Sequence, residues 1–208
     1  MTVQARHGRK SKLEKTMKNE KKLILASKSP RRIELLRNNG YDPIVVPADI
    51  EEKISSNASM EEVVISISRD RAECVKESID CPALIIAADT IVYKDGEIMG
   101  KPKDKEDGFR MLAKLRDTFH YVATGVTFID TETNDITSFC DVTKVYFKDY
   151  SDDELNKYLD TPEAYDKAGG YGIQSGFAKY VDHIEGNYEN VMGLPWYRVK
   201  EFLKKAEI

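Results

Sequence analysis

The chain has 208 residues, 41% hydrophobic, 33% charged and 9% aromatic. That is enough apolar material for one large domain or two small lobes, and it excludes disorder throughout. Lys and Arg number 32 against 36 Asp and Glu, a net charge of −4, which excludes the strongly basic balance of a dedicated nucleic-acid coat. The total conceals two regions. Residues 1–22 carry 8 basic and 2 acidic residues, and the other 186 residues carry −10, so a basic, disordered N-terminal arm (1–22) is expected ahead of one folded domain (23–208). No run approaches the roughly 20 apolar residues of a membrane helix, and no short apolar core follows the basic start as in a secretory signal. Cys74, Cys81 and Cys140 are widely spaced and form no metal pattern, which suits reduced thiols in the cytoplasm. His7, His120 and His183 are isolated, leaving no HExxH helix and no Ser/His or Cys/His nucleophile pair.

In chain order, Leu23–Ala26 is a short apolar run suited to a buried strand. Ser29 as cap and Pro30 as first helical residue then open a helix that Asn39-Gly40 stops. Ile44–Val46 reads as a second strand and Asp49–Ala58 as an acidic loop. Met60 to about Ser78 reads as a helix capped by Ser59, with Val63, Val64, Ile67 and Val75 inward. Ala83–Ala88 is apolar on both faces, as in a covered central strand, and places Asp89-Thr90 at that strand's C-terminal end. Asp95-Gly96 predicts a hairpin turn between Ile91–Tyr93 and Glu97–Met99, and Lys105–Leu115 a helix. Tyr121–Ile129 and Ile136–Phe147 form a long hairpin about Asn134-Asp135, and Ser151 with Glu154 gives a capping box. After a glycine-rich segment from Tyr165 to Gly176, Phe177–Ile184 reads as a strand and Pro195 as the first residue of a C-terminal helix to about Lys204. The order predicts an α/β fold: a mixed sheet flanked by helices, with a cleft.

Three clusters combine residue types that core packing does not require. In Ser27–Arg32 a strand leads into a helix N-terminus whose free N–H groups favour an anion, and Arg31 and Arg32 add guanidinium forks suited to phosphate. A capped helix with two solvated arginines explains the same string equally well. Asp89 could bind a divalent cation or accept a proton from water, with Glu51, Glu52 and Glu97 as carboxylate partners for Mg²⁺ or Mn²⁺, or it could simply cap a turn. Lys167–Gly176 places glycines at 169, 170, 172 and 176 near Gln174. Glycine permits close backbone approach and an amide can read a nucleobase edge, although a tight loop would look similar. The segment is neither a P-loop nor a GxGxxG fingerprint.

Taken together, these strings resemble the Maf family of nucleotide pyrophosphatases. The matches are Leu25-Ala26-Ser27-Lys28-Ser29-Pro30-Arg31-Arg32, Ala87-Ala88-Asp89-Thr90, Gly100-Lys101-Pro102, Asp166 through Gln174, and Asn190-Val191-Met192-Gly193-Leu194-Pro195. The resemblance runs from about Leu23 to the C-terminus, and five strings in order are highly specific. It implies an elongated, two-lobed α/β fold similar to the inosine triphosphate pyrophosphatases. It further implies a house-cleaning hydrolase that uses a divalent cation (Mg²⁺ or Mn²⁺) to split nucleoside triphosphates into monophosphate and pyrophosphate.

On that resemblance, Asp89 would be the catalytic base, or would hold the metal together with Glu52. Ser29, Arg31, Arg32 and Arg71 would bind substrate, as would Thr90, Lys101, Lys167 and Gln174. Arg31, Thr90 and Gln174 match residues tied to substrate choice in the branch acting on dTTP and UTP, where one amide can pair with the O4 and N3–H edge that cytosine reverses. The chain departs from the usual family pattern at Arg71, a planar fork in place of a point cation, at Ser175, and at the bulky Trp196-Tyr197. The partner implied is a small-molecule nucleoside triphosphate, and the family suggests a homodimer; neither a membrane nor nucleic acid is expected. Two other functions stay open: a pyrophosphatase for methylated or damaged purine triphosphates, and a non-enzymatic division-arrest protein whose basic arm engages a partner.

Overall fold

A computed structural model describes residues 21–52 and 58–208. Most of the expected arm and part of the acidic loop therefore lie outside the described residues. The first strand, β1 (Lys22–Leu25), takes in a residue assigned to the arm, and the preceding Lys21 pairs with Asp130. Helix α1 (Pro30–Asn38), β2 (Ile44–Val45) and α2 (Met60–Lys76) follow. Ser59 and Glu62 close a reciprocal capping box on α2, which explains its sharp start.

The next strand, β3 (Ala83–Lys94), is 12 residues long and does not stop at Asp89. Asp95 (φ 49°) and Gly96 (φ 83°) turn it into β4 (Glu97–Met99), the expected hairpin. Then come α3 (Lys105–Leu115), β5 (Phe119–Asp130) and β6 (Ile136–Phe147). After α4 (Asp152–Leu159), opened by the Ser151–Glu154 box, the strand expected at Phe177–Ile184 begins only at Val181 as β7 (Val181–Glu185), because 178–180 form a 3₁₀ turn. A five-residue helix, α5 (Tyr188–Met192), lacks a periodic stripe and was not expected. Pro195 is the cap residue of α6 (Trp196–Lys205), not its first residue.

The seven strands form one sheet in the order β2-β1-β3-β5-β6-β7, with β4 on β3. β2, β1 and β3 are parallel, and the remaining pairs are antiparallel. Helices cover both faces of the parallel end. Leu36, Val199 and Leu203 of α1 and α6 pack on one face, and Ala72 and Val75 of α2 pack on the other. A second core joins α3 and α4 to the far ends of β3, β5 and β6 through Leu112, Leu155, Phe147 and Phe177. These two packing centres are the expected lobes.

The topology opens the cleft. β5 pairs with β3 without interruption from Leu84 to Tyr93. On the opposite edge, β1 stops at Ile86 and β4 starts at Val92. The intervening edge has no strand partner among the described residues, and Asp89-Thr90 lie within it. This corrects the expectation of a strand end: the polar pair interrupts one edge while the continuous β5 ladder carries the backbone onward. Across that ladder Asp89 faces Gly125, where an added Cβ would lie 2.3 Å from the Val64 carbonyl oxygen. The missing side chain lets α2 lie directly on the sheet.

Candidate functional site

The edge gap leaves the Ala88 carbonyl without a ladder donor, and two arginines supply donors instead. Arg32 Nη1, from α1, donates to it at 2.8 Å, and Arg71 Nη1, from α2, at 2.7 Å. Arg71 also reaches Asp89 Oδ1 at 2.9 Å and pairs with Glu52. Asp89 is 7% exposed. Burial raises its carboxyl above the ordinary value, and the Arg71 and Arg32 charges oppose that rise. A proton acceptor in a cleft with these opposing influences is suited to acid–base work.

Arg32 is a framework cation. Its Nε donates to Gly193 O (2.8 Å), Nη1 also to Ser27 Oγ (3.0 Å), and Nη2 to Thr90 Oγ1 (3.0 Å). Burial pulls its guanidinium down to about 10, so it remains charged at neutral pH. The expectation that it contacts phosphate meets a fork engaged with four protein acceptors. Thr90 passes the network to Thr124 (3.0 Å), whose hydroxyl donates to Asn190 O (3.0 Å). The amide of Asn190 holds Val122 O and Thr143 Oγ1, each at 3.0 Å. This polar chain joins the Ser27 loop to the Val191–Gly193 segment.

Ser27, Arg32, Glu52, Arg71, Asp89 and Thr90 line a cavity of about 920 Å³, large enough for a nucleotide-sized ligand. Lys28, Arg31, Arg32, Arg71, Lys101 and Lys167 line it together with Asp49, Glu52, Asp89 and Asp166. The wall is thus cationic on balance in a body that is acidic on balance, which favours an anionic ligand. Arg31 Nη1 lies 3.9 Å from Asp166, which also pairs with Lys167. Lys167 Nζ donates to Glu163 O at 2.6 Å. Gly169 (φ 69°) turns this segment against β3, where a Cβ would come within 2.9 Å of Val92 Cγ2.

The structure therefore brings together Ser29, Arg31, Arg32, Glu52, Arg71, Asp89, Thr90, Lys101 and Lys167 around one cavity. Three expectations are corrected. Gln174 is exposed and stands outside the wall, which at that point is formed by Gly172 and Ile173. The Ser29 side chain makes no cap bond; Ser27 Oγ accepts from the Ser29 N–H at 3.2 Å instead. Glu97 is tied to Arg110 and Lys114 and takes no part in the cavity. Ser27, Thr124 and Asn190 support this network although none is expected from sequence as a site residue. Ser27 falls in the Ser27–Arg32 cluster and in a family string, Asn190 in a family string alone, and Thr124 looks like any β-strand residue.

Two carboxylates, Glu52 and Asp89, converge on Arg71, and no cluster of three or more His, Cys, Asp or Glu suited to a metal occurs among the described residues. Two hard-oxygen donors are what a Mg²⁺-type ion takes from protein when waters and phosphate oxygens complete its octahedron. The donor chemistry fits. Among the described residues no helix is long and apolar enough to cross a membrane, and all three cysteines are free thiols.

Residues 22–206 match the family model described as Maf-like protein. The dTTP/UTP pyrophosphatase of Dictyoglomus turgidum is 44% identical over 186 residues, covering 89% of this chain and 96% of that protein. Those of Thermoanaerobacter sp. and Geotalea uraniireducens are 42% and 43% identical, covering 88% and 91% of this chain and 96% and 97% of their own lengths. The Staphylococcus aureus Ham1 protein superposes with a TM-score of 0.48 at 15% identity, over 89% of this chain and 100% of that one. The matched span takes in both lobes and every cavity residue named above, and this chain belongs to the Maf family.

Proposed function

We propose that this chain is a nucleoside triphosphate pyrophosphatase that converts dTTP and UTP to the monophosphate and pyrophosphate. The observation that carries this reading is the buried Asp89, held by Arg71 inside a cationic cavity of about 920 Å³. The relatives named as dTTP/UTP pyrophosphatases at 42–44% identity supply the substrate class.

In this reading Asp89 accepts a proton from the water that attacks phosphorus, and its raised carboxyl is a stronger base than an ordinary aspartate. Arg31, Lys101 and Lys167 face the phosphate chain and offset its growing charge, with Ser29 at the helix entrance. Triphosphate draws Arg31 and Lys167 away from Asp166. Arg71 and Arg32 hold the Asp89-Thr90 edge, and Ile173 with Val191 and Met192 offers apolar wall to the base. Gln174, next to Ile173, reads the base edge only if the bound state turns it inward. Glu52 and Asp89 would hold Mg²⁺ or Mn²⁺, which when bound screens the phosphate charge and polarises the attacked group. The free thiols support a cytoplasmic site of action, and the family resemblance supports a homodimer, which sedimentation would test.

The test is a panel of nucleoside triphosphates with Mg²⁺, Mn²⁺ or chelator, scored for pyrophosphate against orthophosphate. Metal-dependent pyrophosphate release, fastest from UTP and dTTP, is expected. No pyrophosphate from any nucleotide would overturn the reading, and preference for a methylated GTP would overturn its base assignment alone.

A further inference from the structure

One buried titratable group plays no part in this chemistry. His120 on β5 is 0% exposed, and its Nε2 lies 2.5 Å from the Tyr171 hydroxyl. Burial and the nearby Lys94 charge pull the imidazole down to about 3, and burial pushes the Tyr171 phenol upward. Both groups are neutral at any working pH. His120 Nδ1 has no hydrogen-bond partner among the described residues, a cost that a leucine at this position would not carry. The pair sits in an aromatic cluster, with Phe147 5.0 Å from the imidazole and 4.8 Å from the phenol ring, so apolar volume alone would satisfy the packing. What a polar pair adds to such a core is a fixed direction.

We propose that His120 is a positioning residue for the nucleotide, acting through Tyr171 to fix the Lys167–Ile173 wall relative to Asp89. The proposal rests on the nucleotide reading above. Apart from the packing of the Tyr171 ring on Phe147, two backbone contacts tie the wall segment to the sheet: Gly169 N–H donates to Gly100 O, next to β4, at 2.9 Å, and the Gly169 backbone lies against Val92. Both lie toward β3 and β4. Tyr171 supplies the tie to β5, the strand that backs Asp89 through Gly125. Two residues past His120 on the same face, Val122 is itself part of the cavity wall. Tyr171 stands four residues after Lys167 and two before Ile173, so one hydrogen bond sets the placement of a phosphate-facing cation and of an apolar wall residue together.

The test is a double-mutant cycle with Tyr171→Phe, which keeps the ring, and His120→Leu. His120→Gln, which restores a polar atom near the Nε2 position, is the rescue. Steady-state rates with UTP and Mg²⁺ are read beside amide hydrogen exchange of residues 166–174 without nucleotide. Each single variant is expected to raise KM about tenfold with kcat changed less than about threefold. Exchange in 166–174 should quicken, the double variant should be no worse than either single one, and His120→Gln should recover most of the loss. Folded single variants with unchanged KM and unchanged exchange would overturn the proposal, as would additive effects. So would a His120→Gln enzyme that loses kcat at unaltered KM or shifts the acidic limb of the rate profile, since that would indicate a proton-transfer role. If the wild type hydrolyses no nucleotide, the functional reading fails, and the exchange data still decide whether this pair holds the wall.

Discussion

Arg32 and Arg71 donate to one acceptor, the Ala88 carbonyl, at 2.8 and 2.7 Å from helices on opposite faces of the sheet. Neighbouring side chains on a strand point to opposite faces, so Arg71 meets Asp89 on one side while Arg32 meets Thr90 on the other. A single carbonyl without a ladder partner thus fixes two cations about the carboxylate that the proposed reaction uses, and the consequences can be measured.

Asp89→Asn removes the proton acceptor while keeping the side-chain shape and a polar partner for Arg71. Pyrophosphate release should fall by about 10²–10⁴-fold, with the melting temperature within a few degrees of wild type. A variant retaining more than about a tenth of the rate would exclude Asp89 as the base.

Arg71→Met removes the largest influence holding the Asp89 carboxyl down. Burial then acts with less opposition, so the Asp89 pKa rises further. Because the ionised form is the active one, the acidic limb of kcat/KM against pH should move to higher pH. Profiles of the two enzymes superposing after scaling would contradict the assigned electrostatics.

Gly125→Ala places a Cβ 2.3 Å from the Val64 carbonyl oxygen. Helix α2 must retreat from the sheet, at a cost of about 2–3 kcal/mol and several degrees of melting temperature for a chain of this size. Arg71 rides on α2, so kcat/KM should fall in the same variant below its melting range. A thermally neutral Gly125→Ala would show that the helix has room to spare.

Deletion of residues 1–20 keeps Lys21, whose ammonium pairs with Asp130, and all of β1. We expect kcat/KM for UTP to stay within about twofold of the full chain. A larger loss would give the basic arm a share in the site.

Local signals were legible wherever short-range chemistry decides the structure. The boxes at Ser59 and Ser151, the Asp95-Gly96 turn and helix Lys105–Leu115 follow from capping, turn geometry and periodicity. That Ala83–Ala88 and Ile91–Tyr93 form one strand through Asp89-Thr90 was not legible, because the partners of Asp89 to Tyr93 on β5 lie 28 to 36 positions away and decide the matter through tertiary pairing. The cationic residues of the cavity were visible as strings. Which of them are free to meet a ligand was not: that Arg32 is consumed by Ser27, Ala88, Thr90 and Gly193 depends on a carbonyl exposed by a gap in the sheet. His120 read as an isolated histidine because its partner Tyr171 lies 51 positions further along the chain.

The three strands β3, β5 and β6, 12 residues each, run unbroken through both packing centres. A hinge would have to bend all three strands and both ladders between them at once, breaking hydrogen bonds that the sheet cannot replace. The two lobes are therefore expected to hold a constant separation, and the enzyme to accommodate ligands by side-chain shifts on the segments around Pro47–Glu52 and Asp166–Ile173 over a stiff floor. Selectivity in such an arrangement is set by the fit of those segments around the ligand, without a large domain swing.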